Sequence, residues 1–186
     1  MNVKLNLRMD KRSFLTWVQE REERYELEQG RVMMMTGGSR RHGIITRRLA
    51  AALEKCLDGD QWTVLTSDFG VDLGPDTVRY PDVVVDVASG APEDLTASSP
   101  VLVAEVLSPS STTYDLGDKA ADYLKSTTLI DYLVLAQDEA KVWVWVRGAS
   151  GFSPGPAVIS GPNATIRIAA LGVDIDLAEI YAGISG

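Results

Sequence analysis

Arg79-Tyr80-Pro81-Asp82-Val83-Val84-Val85, followed by Val101-Leu102-Val103-Ala104-Glu105-Val106-Leu107, is the stretch that decides the fold. Both runs are aliphatic and β-branched, as expected of strands buried on both faces in the middle of a helix-covered sheet. Pro81 has no N–H to give to a ladder, so it belongs at a strand's start or at an edge. Asp82 therefore stands where the chain enters the sheet. Alternation along the second run puts Val101, Val103, Glu105 and Leu107 on one face. An ionised glutamate there is costly unless it is paired, hydrogen-bonded or metal-bound. Two acids on consecutive strands have two ways out. One is a salt bridge, with Arg79 as partner. The other is convergence on Mg²⁺, which takes few carboxylates and keeps waters for phosphate chemistry.

The flanking segments alternate helix and strand signals. Residues 10–22 carry Phe14, Trp17 and Val18 at helical spacing, with Asp10 or Ser13 as cap. Tyr25–Leu27 and Arg31–Met35 read as a hairpin turned through Glu28-Gln29-Gly30. Glu26, on its first strand, is expected either as a third acid at the metal or as a clamp for an arginine. Ser39 caps a helix over about residues 40–57, with Ile45, Leu49, Ala52, Leu53 and Cys56 on one apolar stripe. His42, the only histidine, shares that stripe and reads as a structural or an active-site residue. Arg40, Arg41, Arg47 and Arg48 lie largely off the stripe, placed to grip phosphates or to be solvated. A further helix is expected over 115–126, two strands after it, then short strands and a last helical turn at 177–181. The order predicts an α/β (α+β) chain with one mixed sheet between helices.

The 186 residues predict a single domain, 1–186, able to bury a core without staples. One cysteine excludes a disulfide framework or a cysteine-rich zinc site. The absence of a long apolar run and of an apolar signal centre in MNVKLNLRMDKR leads to the expectation of a cytoplasmic, non-membrane protein. The net charge is −8, unevenly spread. Residues 1–55 hold twelve Lys or Arg against seven Asp or Glu, and residues 56–186 hold six against nineteen. A basic front with acids behind it admits a nucleic-acid partner. On the 141–147 strand, Lys141, Trp143, Trp145 and Arg147 share a face. Its tryptophans are expected in a homodimer interface, with base stacking as the alternative.

Pro81-Asp82 with Glu105, 23 residues after the aspartate, resembles the bipartite PD-(D/E)XK nuclease motif. That motif has lysine two positions after the second acid, where this chain has Leu107. The whole succession is similar to the bacterial Uma-two endonuclease family. It comprises Tyr25-Glu26-Leu27 with Gly30, Ser39-Arg40-Arg41-His42, Arg79 to Val85, Glu105-Val106-Leu107-Ser108-Pro109-Ser110, Asp115-Leu116-Gly117-Asp118-Lys119, Asp131-Tyr132 and Leu171-Gly172-Val173 with Leu177-Ala178. The resemblance covers about residues 12–182 and implies a restriction-endonuclease-like mixed sheet flanked by helices. It implies Mg²⁺, or Mn²⁺, held by Asp82, Glu105 and the carbonyl of Val106, and hydrolysis of phosphodiester bonds, most naturally of DNA. It also implies that the catalytic lysine has migrated to Lys119, with Glu26 and His42 nearby. From the residues alone, Lys119 reads as a surface lysine paired with Asp115 and Asp122. The competing reading is a non-catalytic homodimeric interaction or nucleic-acid-binding protein that retains the nuclease fold.

Overall fold

A computed structural model describes residues 3–97, 99–107 and 115–184; the Ser108-Pro109-Ser110 motif and the side chain of Asp115 lie outside the described residues. The chain opens with β1 (Val3–Arg8), α1 (Lys11–Val18), β2 (Tyr25–Glu28) and β3 (Arg31–Met34). Asp10 caps α1 by accepting from the Ser13 N–H. The β2–β3 hairpin turns at Gln29 and Gly30, whose φ values are 49° and 76°. Glycine takes that conformation without the Cβ penalty that Gln29 incurs. β1, which carries no clear sequence signal, pairs antiparallel with β3.

After α2 (Arg40–Cys56) the chain shuttles between two sheets. β4 (Trp62–Thr66) joins a large sheet, while β5 (Gly70–Asp72) and β6 (Val78–Arg79) return to the small one. β7 (Val83–Val87) crosses back to the large sheet, and β8 (Thr96–Ala97) pairs in the small one. Each of the stretches 62–73 and 77–87 is therefore divided between the two sheets. In the second the cut falls at Tyr80-Pro81-Asp82, because proline cannot continue the ladder.

The large sheet is completed by β9 (Leu102–Val106), β10 (Asp131–Leu135), β11 (Lys141–Gly148), β12 (Gly151–Phe152) and β13 (Ala157–Ser160). Its order is β12-β11-β10-β9-β7-β4, with β13 also on β11. The small sheet runs β1-β3-β2-β6-β5-β8. A separate hairpin of β14 (Thr165–Ile168) and β15 (Val173–Asp176) leads into α4 (Leu177–Tyr181). The expectation of one mixed sheet is corrected to two mixed sheets and a hairpin.

Both faces of the large sheet are covered. Val83, Val85, Leu102, Ala104, Leu133 and Val144 share a core with Ile45, Leu49 and Leu53 of α2 and with α4 and the β14–β15 hairpin. Each such leucine removed from water contributes about 1.5–3 kcal/mol. On the other face Val84, Val103 and Val134 pack with Leu107, Tyr123 and Trp145. Instead of a helix over 115–126, a π-helical turn (Asp115–Lys119) runs into a short α3 (Ala120–Tyr123), and Ser126-Thr127-Thr128 lies beyond it. Two surface expectations also change. Cys56, in the last turn of α2, is exposed. Trp145 is buried against Tyr132, ring centroids 5.3 Å apart, so it belongs to the core and not to an uncovered interface. Trp143 is half-buried under Lys141. No helix among the described residues is long and apolar enough to cross a membrane.

Candidate active site

The crossing at Pro81 builds the site. β7 and β9 are antiparallel, with Val83 opposite Ala104 and Val84 opposite Val103. Extended one step beyond the start of β7, this register directs Asp82 toward Glu105. Directly opposed residues share a sheet face and hold their Cβ atoms about 4.5–5.5 Å apart. The Asp82 carboxylate closes the end of the ladder, accepting the Val106 N–H at 2.7 Å through Oδ2. The same oxygen lies 3.0 Å from His42 Nε2. Ser39 places that imidazole by capping α2 on the His42 N–H, as the sequence predicts. Gly38 lies against the ring: a Cβ there would come within 2.8 Å of His42 Cγ.

Glu105 is buried, and its Oε1 accepts from Lys119 Nζ at 3.0 Å and from the Tyr123 hydroxyl at 3.0 Å. Lys119 is also within 3.3 Å of Glu26 Oε1. The surface-lysine reading is thereby overturned: Lys119 is 6% exposed and pairs with strand carboxylates, while Asp122 pairs elsewhere. The π turn that ends at Lys119 brings its amine to the ends of β2 and β9, and such turns often occur where function needs a side chain re-aimed.

Arg79 is fully buried and does not pair with Glu105. It reaches Glu26 at 3.2 Å, Asp122 at 2.7 Å and Glu28 at 3.4 Å. Glu26 is thus the clamp for an arginine and a neighbour of Lys119. Burial would raise the Glu26 carboxyl, but Lys119, Arg79 and the Tyr80 N–H outweigh it and hold the group below the usual carboxylate range. Burial and the nearby Glu105 and Glu26 charges push the Tyr123 phenol well above its ordinary value, so it stays a donor. Sequence reasoning missed Tyr123, Asp122 and the true partners of Arg79. The signal available was helical spacing, since Asp122 and Tyr123 follow Lys119 by three and four positions.

A cleft of about 960 Å³ opens over these groups, lined by Asp82, Glu105, Val106, Lys119 and His42 among others. Of the four arginines singled out on α2, Arg47 lines the cleft. Arg40 and Arg41 are exposed and do not line it. Arg48 is turned away from it: its guanidinium donates to the carbonyls of Ile180 at 3.0 Å and Ala182 at 2.6 Å, tying α2 to the end of α4. That placement corrects the phosphate-gripping expectation for Arg48.

Charge and donor type define which metal the site suits. Among the described residues no three His, Cys, Asp or Glu side chains converge as a closed metal cage. Two carboxylates on neighbouring strands are instead what a hydrated Mg²⁺ requires. Two buried cations, Arg79 and Lys119, with the exposed Lys125 on Asp122, meet three buried acids, Glu26, Glu105 and Asp122, and Glu28 and Asp82 add two further negative charges beside them. A divalent cation would offset that excess, so the residues fit the ion.

Comparison with known proteins agrees with this architecture. The crystal structure of "a putative nuclease belonging to DUF820" from Anabaena variabilis superposes with a TM-score of 0.75 at 16% identity, over 94% of this chain and 98% of that one. At that identity the likeness shows the fold, the expected restriction-endonuclease-like α+β arrangement. Two uncharacterized proteins of Synechocystis sp. are 31% and 27% identical. The first match covers 74% of both chains; the second covers 67% of this chain and 72% of the relative. Residues 12–178 match the model of the family Uma2, whose description reads "Putative restriction endonuclease". With nearly all of the two sheets and the cleft inside that match, the chain belongs to the Uma2 family.

Proposed function

We propose that the protein is a metal-dependent nuclease that hydrolyses phosphodiester bonds of DNA. One observation carries the reading: Asp82, at the entrance to β7, and Glu105 of the adjoining β9 line one cleft, with the Lys119 amine bonded to Glu105. Asp82, Glu105 and the carbonyl of Val106 would hold Mg²⁺, or Mn²⁺ in its place. When bound, the ion supplies a water of lowered pKa and an electrostatic partner for the charge that develops on phosphorus-bound oxygens.

The chain's own groups have distinct tasks. Lys119, with little solvent to screen it, offers a fixed positive charge beside the reacting centre, the type of preorganised donor that lowers barriers most. Glu26 remains ionised and keeps Lys119 charged and aimed; it is a positioning residue and carries no proton. His42 and the Val106 N–H orient the Asp82 carboxylate. Arg47, on the cleft wall, meets the phosphate backbone, with Arg40 and Arg41 on the exposed start of the same helix.

The test is cleavage of plasmid and oligonucleotide DNA with Mg²⁺ or Mn²⁺ against EDTA. Glu105→Gln keeps the shape of the side chain but removes its charge, and is expected to abolish metal-dependent cleavage. Cleavage that survives both EDTA and Glu105→Gln would sink the reading. Inactivity of the wild-type protein on every substrate would favour a binding protein on the same fold.

A further inference from the structure

We propose that the cleft takes an unpaired nucleic-acid strand, with a base laid against Tyr80 and Met35 while the adjoining phosphate reaches Asp82 and Glu105. The inference deepens the nuclease reading above and rests on it for the placement of that phosphate. Three observations carry it. The first is depth. Glu105 and Lys119 are 4% and 6% exposed, so a reacting phosphate must enter the cleft rather than graze a surface. A flexible strand enters more readily than a stacked, paired one.

The second is the wall. Tyr80, two residues before Asp82, lines the cleft with Met35, just past the end of β3, over the buried Met33, and its ring also packs on the apolar cluster beneath the small sheet. From the helix side α2 contributes Gly43, Ala50 and Ala51, which leave room for a flat group. An aromatic ring and a polarizable thioether beside an entry for phosphate form a stacking platform. Every base has a π-face to offer it once unpaired, whereas a base in a duplex must first be unstacked.

The third is charge. The cleft is lined by four Lys or Arg (Lys4, Arg24, Arg47 and Lys119) against five acids. The whole chain carries −8. Duplex binders draw most of their non-specific affinity from many phosphate contacts. This lining cannot supply them, so affinity must come from stacking with a few cations to guide the strand.

Binding is measured in EDTA, where no cleavage intervenes, by fluorescence anisotropy of a short oligonucleotide carrying 2-aminopurine. Its arms are single-stranded DNA, single-stranded RNA of the same sequence, and the DNA duplex. Either single strand is expected to bind at least tenfold tighter than the duplex, with quenching of the 2-aminopurine as it stacks. Tyr80→Phe, which keeps the ring, should bind like the wild-type protein. Tyr80→Leu, which keeps apolar bulk for folding but no π-face, should lose about tenfold, on the scale of one base–aromatic stack. Duplex bound as tightly as single strand, or Tyr80→Leu bound and quenched like wild type, would overturn the inference. Cleavage is a separate readout: a protein that shows Tyr80-dependent binding but cuts nothing with Mg²⁺ would refute the nuclease reading and leave the strand preference standing.

Discussion

Lys119 has to be judged by what it neutralises. Its amine is shared by Glu26 and Glu105, both buried, so its removal leaves two carboxylates with fewer partners in a dry place. Breaking one side of a buried ion pair costs about 3–5 kcal/mol. Lys119→Met should therefore lose both cleavage and about that much stability in urea melts. Lys119→Met/Glu26→Gln should recover part of the stability and none of the activity. A single variant as stable as the parent would show that the pairs are not formed in solution. Asp131 is the opposite case. At the start of β10 it is buried, both its carboxylate oxygens lack a hydrogen-bond partner among the described residues, and burial raises its pKa from the ordinary 3.8 to about 6. A carboxyl whose folded pKa is raised binds its proton more tightly in the native state, so stability falls as pH rises from about 4 to 6. Asp131→Asn should abolish that loss. Relative to the parent it should gain about 2 kcal/mol between pH 4 and pH 7. Parallel pH–stability curves for the two proteins would contradict it.

The element that joins the core to chemistry is α2. Its apolar stripe lies on the large sheet, Arg48 fastens it to α4, and its first turn carries His42 to Asp82. Ser39 does two jobs there. It caps the helix through the His42 N–H, and its hydroxyl bonds Gln137, which in turn donates to the Leu107 carbonyl. Losing a serine cap costs about 1 kcal/mol. Ser39→Ala is expected to lower stability by that amount and to reduce cleavage further than the stability loss explains, because the turn holding His42 is released. Thermal melts and turnover measured together check this, and unchanged turnover would separate the cap from the site.

At the scale of the whole molecule, the acidic surface sets how binding responds to salt. Each phosphate neutralised on a single strand contributes about −0.7 to the slope of log K against log salt. Three cleft cations beyond Lys119 (Lys4, Arg24 and Arg47) therefore predict a slope of about −2 for an oligonucleotide. A slope of −5 or steeper, taken as an order of magnitude from the same relation, would mean that basic residues outside the cleft, Arg40 and Arg41 first, carry the strand.

Periodicity and residue type were enough to locate most of the elements, and one-dimensional chemistry singled out two acids that the fold brings to one cleft. The valine-rich runs around 83–87 and 101–107 announced buried strands, Ser39 announced a helix start, and Pro81 announced the break that sets Asp82 at a strand entrance. Those are local properties of backbone and side chain. Partnership is not local. Nothing along the chain says that Arg79 turns to Glu26 and Asp122 rather than Glu105, since 53 and 43 residues separate those pairs. Nor can a helical-looking stretch reveal that a π turn buries Lys119, or a tryptophan-rich strand that Trp145 is fully covered while Trp143, on the same face, is only partly so. The sequence by itself determined which segments are apolar enough to be covered and which charged residues must find partners. The tertiary structure alone decided which face is covered by what and which charges meet. Those choices depend on how the chain divides its strands between two sheets and on the low-dielectric space that the sheets enclose.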